Sequence, residues 1–270
     1  MQALAIAQHE VSKLLGTRRG WLSIAAFLLV WGIILAFVIE PAARFLSNEE
    51  TGGLISLLFG DRVQQLANSW GHLEVSLYWL VALYVLPSFA ILFSADQMAS
   101  DRARGTLRYL LLRCGRFTLF ISRFIGQLLI MLLLVVLTYA ASVALTAVHS
   151  PERAIDMLPA AAPVIVNLWL VLMPYVALMA LLSVLASSSK QAIVYSVIGW
   201  IVLWLAIRFV QNRFEYASWV SLLDWVMPGA QIRALLQLSH WDTLQLAPIP
   251  IVHTIVLLTI GAFFMWKRDL

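Results

Sequence analysis

The sequence holds one cysteine, Cys114, so neither a disulfide framework nor a cysteine-ligated metal cluster is available to it. It contains no Gly-x-x-x-x-Gly-Lys-Ser/Thr segment, and hence no phosphate loop to cradle a nucleotide. Its histidines, His9, His72, His149, His240 and His253, are scattered, and none forms the His-Glu-x-x-His pair that binds zinc on a helix face. Charge is scarce as well: 12% of residues are charged against 62% hydrophobic. A soluble domain has no means of covering that much apolar surface, whereas a polytopic membrane protein needs about this balance.

What the chain does have is six long apolar runs, near 21–39, 75–95, 118–147, 163–186, 192–210 and 249–266. A helix rises about 1.5 Å per residue, so roughly 20 apolar residues cross the hydrocarbon core. The expected fold is an all-α membrane protein with six transmembrane helices, organised as a single domain over 1–270. The first run is longer than a signal-peptide core, and Pro41-Ala42-Ala43 is a poor cleavage site, so it reads as a retained span. No internal repeat is evident.

The charges between the runs are sorted by sign. The N-terminal segment, the 96–117 loop, the 187–191 turn and the C-terminus hold Lys13, Arg18, Arg19, Arg102, Arg104, Arg108, Arg113, Arg116, Lys190, Lys267 and Arg268, with Arg123 just inside the third span. The alternate segments hold Arg44, Arg62, Arg153, Arg208, Arg213 and Arg233, together with Glu40, Glu49, Glu50, Asp61, Glu74, Glu152, Asp156, Glu215, Asp224 and Asp242. Lys and Arg excess marks the cytoplasmic side, which places both termini inside. The net charge of +4 then follows from arginines set against inner-leaflet headgroups and carries no nucleic-acid signal.

Several local expectations follow. Leu4, Ala7, Val11, Leu14 and Leu15 lie at helical spacing opposite Gln8, Ser12 and Lys13, which suits an interfacial helix. Glu40-Pro41 is expected to end the first span, because the residue before proline disfavours the α region. The patch 54–59 reads as a short helix on the outer surface. Pro87 and Pro174 kink the second and fourth spans. The tryptophan-rich segment 211–248 suggests one or two short helices dipping in from the outer face, closed off by Pro248 and Pro250 before the last span.

The most informative loop is Asp96 to Leu112. Ser100 is a candidate N-cap that puts Asp101 in a helix's first turn. Leu107, Leu110 and Leu111 make one face of an amphipathic helix, and Arg104 and Arg108 make another. By composition alone this is an arginine-rich topology determinant lying against lipid.

Asp101-Arg102-Ala103-Arg104-Gly105-Thr106-Leu107, the following leucines, Arg116 and then Arg123-Phe124-Ile125-Gly126 resemble the pattern of ABC-2 type transporter permeases. His9-Glu10-Val11 with Arg18-Arg19-Gly20, and the closing Lys267-Arg268-Asp269-Leu270, look like the family's N-terminal helix and its basic tail. The proline that usually follows the leucine run is missing; the chain reads Arg113-Cys114-Gly115-Arg116 there.

The resemblance implies a permease subunit in a bacterial-type inner membrane. Two such subunits, identical or related, pair and dock two cytoplasmic ATPase subunits, which bind the ATP and Mg that this chain has no loop to hold. Glu10, Asp101, Arg102, Arg104, Gly105, Thr106, Leu107 and Arg108 would form the ATPase-coupling interface. The second and fifth spans would flank the pathway, with Tyr84, Phe89, Tyr195 and Trp200 lining it, and a pathway poor in charge leans towards export of hydrophobic or amphipathic cargo. Three other readings stand beside this one. The same fold can pass ATPase motion to an outer partner through 40–74 and 211–248. An ATP-independent carrier is disfavoured because Glu40, Asp96, Arg123, Arg208 and His253 lie near span ends, with no mid-membrane carboxylate. A membrane-embedded enzyme is disfavoured by the scattered histidines.

Overall fold

The computed structural model describes residues 2–47, 70–112, 114–214 and 218–267. Six of its helices are long and apolar enough to cross a membrane: Gly20–Ala43, Leu73–Ser94, Arg116–His149, Leu158–Leu185, Ser189–Arg213 and Pro248–Lys267. In chain order the elements are α1 (Gln2–Gly16), α2 (Arg18–Ile34), a π turn (Leu35–Ile39), α3 (Glu40–Ser47), α4 (Leu73–Ser94), α5 (Ala99–Ala103), α6 (Thr106–Leu111), α7 (Arg116–His149), α8 (Pro151–Asp156), α9 (Leu158–Leu185) and α10 (Ser189–Arg213). A 3-10 helix (Ser218–Trp225), α11 (Ile232–Leu235), a second 3-10 helix (His240–Leu246) and α12 (Pro248–Lys267) complete the described chain.

The break between α1 and α2 is built from side-chain chemistry. Thr17 is extended, and its hydroxyl accepts the Gly20 amide at 3.1 Å while donating to the Lys13 carbonyl at 2.8 Å. That N-cap satisfies a donor the new helix would otherwise leave unpaired. A Cβ on Gly20 would lie 1.9 Å from the Leu14 carbonyl oxygen, so only glycine permits this approach. The amphipathic pattern holds in part: Ala7 is buried and Val11 and Leu14 are half-buried, while Gln8, Ser12 and Lys13 are exposed, but Leu15 is exposed with them.

Pro41 does not end the first span. The helix runs on to Ser47, and Glu40 keeps helical angles, donating its amide to Leu35 five residues back. A widened π turn immediately before a proline absorbs both the bulky ring and the missing N–H without terminating the helix. In the same way Pro248 and Pro250 open α12 rather than precede it, because a first turn has no intrahelical bond to lose there. Segment 211–248 forms three short helices among its described residues, not one or two. The patch 54–59 lies outside the described residues, as do the last three residues of the tail.

The α9 helix is the axis of the bundle. Of its most apolar window 67% is buried, against 11% for α10, so α10 is the peripheral span whose apolar side chains face outward. Around α9, the interior is filled by Tyr78, Trp79 and Leu83 of α4 and Met131, Leu134 and Val135 of α7, packed on Val164, Leu168 and Val176. Hydrocarbon offers no water to bond polar groups at this depth, and several are paired within the bundle, although the buried indole N–H groups of Trp31 and Trp79 have no hydrogen-bond partner. Tyr78 and Thr138 share a hydrogen bond at 2.8 Å, Tyr139 donates to the Met157 carbonyl at 2.7 Å, and Trp169 donates to the Leu128 carbonyl at 3.0 Å. Small residues set the close crossings: a Cβ on Gly261 of α12 would meet the Phe120 ring at 2.6 Å.

The two ends of the bundle differ. At one end lie α1, the α4–α7 loop, the α9–α10 turn and the end of α12, joined by the contacts described next. At the opposite end His149 pairs with Glu40 at 3.2 Å and Arg153 with Glu74 at 3.1 Å.

Candidate functional site

The arginine-rich end is organised around Arg123, near the base of α7. Its guanidinium donates to the Glu10 carboxylate from α1 on one side and to the Asp101 carboxylate from α5 on the other. The three side chains keep only 10%, 15% and 14% of their surface for Arg123, Glu10 and Asp101. At that burial the loss of the Arg123 guanidinium leaves two carboxylates uncompensated, which costs about 3–5 kcal/mol. Gly126, one turn along α7, lets α1 approach: a Cβ there would lie 3.0 Å from Glu10 Cβ and 3.2 Å from the Ala7 carbonyl oxygen.

The loop itself is two short helices, α5 and α6, rather than one continuous amphipathic helix. The break is at Gly105, whose φ of +72° is a conformation L side chains adopt only with strain. The α5 helix begins at Ala99, so Ser100 sits inside its first turn instead of capping it, and Asp101 keeps the favourable first-turn place. Thr106 bridges the break, donating to the Asp101 backbone carbonyl at 3.1 Å and approaching its carboxylate at 3.2 Å. Leu107 is buried with Met98, Leu119, Phe120, Val184 and Met265, which anchors α6 to α7, α9 and α12.

Of the loop's arginines, Arg102 turns inward. It donates to the Val184 carbonyl at 2.6 Å and the Ala186 carbonyl at 3.1 Å, satisfying acceptors at the end of α9 that the helix leaves open. Arg104 is exposed at the break, and the Arg108 side chain lies outside the described residues. Three further bonds tie the loop to the bundle: Gln97 to the Val176 carbonyl at 3.1 Å, Ser189 to Asp96 at 2.7 Å, and Arg116 to the Trp266 carbonyl at 3.2 Å. Glu10 and Asp101 therefore meet at Arg123, Thr106 bonds Asp101, and Arg102 and Leu107 fasten the same loop to α9 and its neighbours. The sequence marks Arg123 as a basic residue just inside a span and as the start of Arg123-Phe124-Ile125-Gly126, but not its two carboxylate partners, which lie 113 and 22 residues away.

The residues singled out for a pathway divide. Tyr84 and Trp200 line a cavity of about 840 Å³ between α4, α10 and the segment 224–234. Tyr195 and Trp200 line a second of about 310 Å³ between α9, α10 and α12, and Trp200 and Pro228 belong to both walls. Phe89 lines neither: its ring meets Phe27 edge-on at 4.8 Å, turned towards α2. Tyr175 completes the site, stacking on Trp200 with centroids 6.0 Å apart and donating its hydroxyl to the Pro228 carbonyl at 3.2 Å. Gly229, with φ +84°, makes room for it, because a Cβ there would sit 2.2 Å from that hydroxyl oxygen. His253 of α12 donates to the Trp225 carbonyl at 2.7 Å, pinning the same strap from the other side.

Six helices long and apolar enough to cross a membrane, with the loops knitted at one end, define a polytopic membrane protein. The chain matches the family described as ABC-2 family transporter protein over residues 4–270, and it belongs to that family. Members are the membrane components of transporters and work with ATPase subunits, not being ATPases themselves. No individual curated protein matches the chain.

Proposed function

We propose that this chain is the permease subunit of an ATP-driven exporter, with hydrolysis carried out by a separate cytoplasmic ATPase. The observation that supports the reading most is the Glu10–Arg123–Asp101 network, which fastens the α1 helix and the loop helices to the base of α7. The arginine-rich end is then the cytoplasmic one, with both termini inside, in an inner membrane of bacterial type. Two permease subunits and two ATPase subunits make the working unit, and ATP and Mg bind to the ATPases.

Coupling requires that nucleotide-driven closure favour one membrane conformation through differential contacts. A push delivered at α5 and α6 cannot be absorbed locally, because Arg102 grips the end of α9 and Asp96 grips the start of α10. The displacement passes instead to the α9–α10 turn, and α10 forms one wall of both chambers. Arg104, exposed at the Gly105 break, presents charge to the docking ATPase.

Co-purification in mild detergent tests this. Arg104→Glu is expected to lose the co-eluting ATPase while the permease remains folded and monodisperse. Gly105→Pro is expected to uncouple or dissociate the complex, since proline's φ near −65° cannot adopt the left-handed break. Full retention of ATPase and of ATP-driven activity in both variants would remove this interface.

A further inference from the structure

The larger chamber has a polarity that points to the class of molecule it holds. Trp200, Trp204 and Arg208 follow one another at intervals of four on α10, so they share one face of that helix, and all three line the chamber. Eight residues of helix put Arg208 roughly 12 Å from Trp200 along the axis. Tyr84, Tyr175 and Trp225 add further aromatic lining. Arg208, Arg233 and Asp224 are the charged side chains among the described lining, two positive to one negative. Asp224 takes a hydrogen bond from the Gln211 amide at 2.7 Å, and Gln211 in turn accepts from Arg208 at 3.3 Å, so the carboxylate is held on an amide rather than on a guanidinium. The Arg208 guanidinium lies 6.0 Å from the Trp204 ring centroid, which holds it over the aromatic wall.

We infer that this chamber binds an anionic amphiphile: an apolar or aromatic body lying against Trp200 and Trp204, with a single anionic head, carboxylate, sulfonate or phosphate, on Arg208 and Arg233. An arginine fork is the side chain best suited to such a head, and the pocket's volume is that of a small-molecule site rather than a polymer channel. Trp200, the shared wall with the smaller apolar chamber, is where a longer body would extend. Calling this molecule cargo rests on the permease reading; its binding does not, and is measured on the isolated chain.

The probe is dansylamino-undecanoate, whose dansyl group accepts excitation energy from nearby tryptophans, compared with its neutral methyl ester. The purified chain in nanodiscs of zwitterionic lipid is titrated with each. The acid is expected to bind saturably with energy transfer, about tenfold tighter than the ester, the worth of one charge-assisted hydrogen bond. Arg208→Gln with Arg233→Gln is expected to bring the acid down to the ester's affinity and leave the ester unchanged. Trp200→Ala weakens both. The ester's unchanged binding in the arginine variant serves as the control for folding. Equal affinity for acid and ester, an acid preference that survives loss of both arginines, or no saturable binding of either probe would each overturn the inference. The permease reading fails by a different result, the absence of any co-purifying ATPase, so the two cannot be confused.

Discussion

At the scale of single residues, the bundle depends on Arg123 and on glycines that no other residue can replace. Arg123→Ala strands two carboxylates in a half-dry site, and the expected loss is about 3–5 kcal/mol of stability for the packed end. Arg123→Ala combined with Glu10→Gln and Asp101→Asn is expected to recover a large part of that loss, because the stranded charges go with the guanidinium. Thermal unfolding of the detergent-solubilised chain reads both, and a triple variant no more stable than the single one would contradict the ion-pair explanation. Gly229→Ala is expected to displace Tyr175 from the Pro228 carbonyl, a hydrogen bond worth about 1 kcal/mol, while Tyr175→Phe removes the same bond without the clash. A larger loss in the glycine variant than in the phenylalanine one is the signature of the steric contact.

At the scale of elements, the long spans were legible because length and apolarity alone define them: every predicted run lies within or beside an observed helix to a few residues. The amphipathic α1 was legible from its 3.6-residue pattern. The helix boundaries that departed from expectation share a cause, proline and glycine acting in a context the local sequence does not carry. Pro41 is absorbed by a π turn, Pro248 and Pro250 open a helix, and Gly105 splits a loop that reads as one amphipathic helix. The Glu10–Arg123–Asp101 joint was out of reach because its members lie 113 and 22 residues apart and only packing brings them together. Tyr175 and Gly229 escaped for the same reason, 53 residues separating the bonded Tyr175 and Pro228. At this scale the test is α1: Gly126→Leu is expected to lift α1 off α7, because the new side chain collides with Glu10 and Ala7. Faster proteolysis at the α1–α2 joint around Thr17, with the spans left intact, is the expected readout; unchanged protection would mean α1 is held by lipid rather than by α7.

At the scale of the whole molecule, one end of the bundle carries the buried Glu10–Arg123–Asp101 network, and the α10 side is thinly buried and walls two chambers. That division suits a device in which force enters through a stiff loop assembly and is released by movement of a peripheral span. Orientation follows the same logic and is measurable because Cys114 is the only cysteine. With Cys114→Ser as background, Arg104→Cys is expected to react with a membrane-impermeant maleimide in inverted vesicles and not in right-side-out spheroplasts. The opposite pattern would invert the topology.

The most direct test of the central claim is a mild-detergent pull-down of the chain from its native cell, with an ATPase assay on the eluate, for the natural sequence and for Arg123→Gln. The account predicts a co-eluting ATPase that hydrolyses ATP with the natural chain, and loss of that association or of coupled hydrolysis in the variant despite normal insertion. A natural chain that elutes alone with no nucleotide-dependent activity, or a variant whose complex and hydrolysis are unchanged, would contradict it.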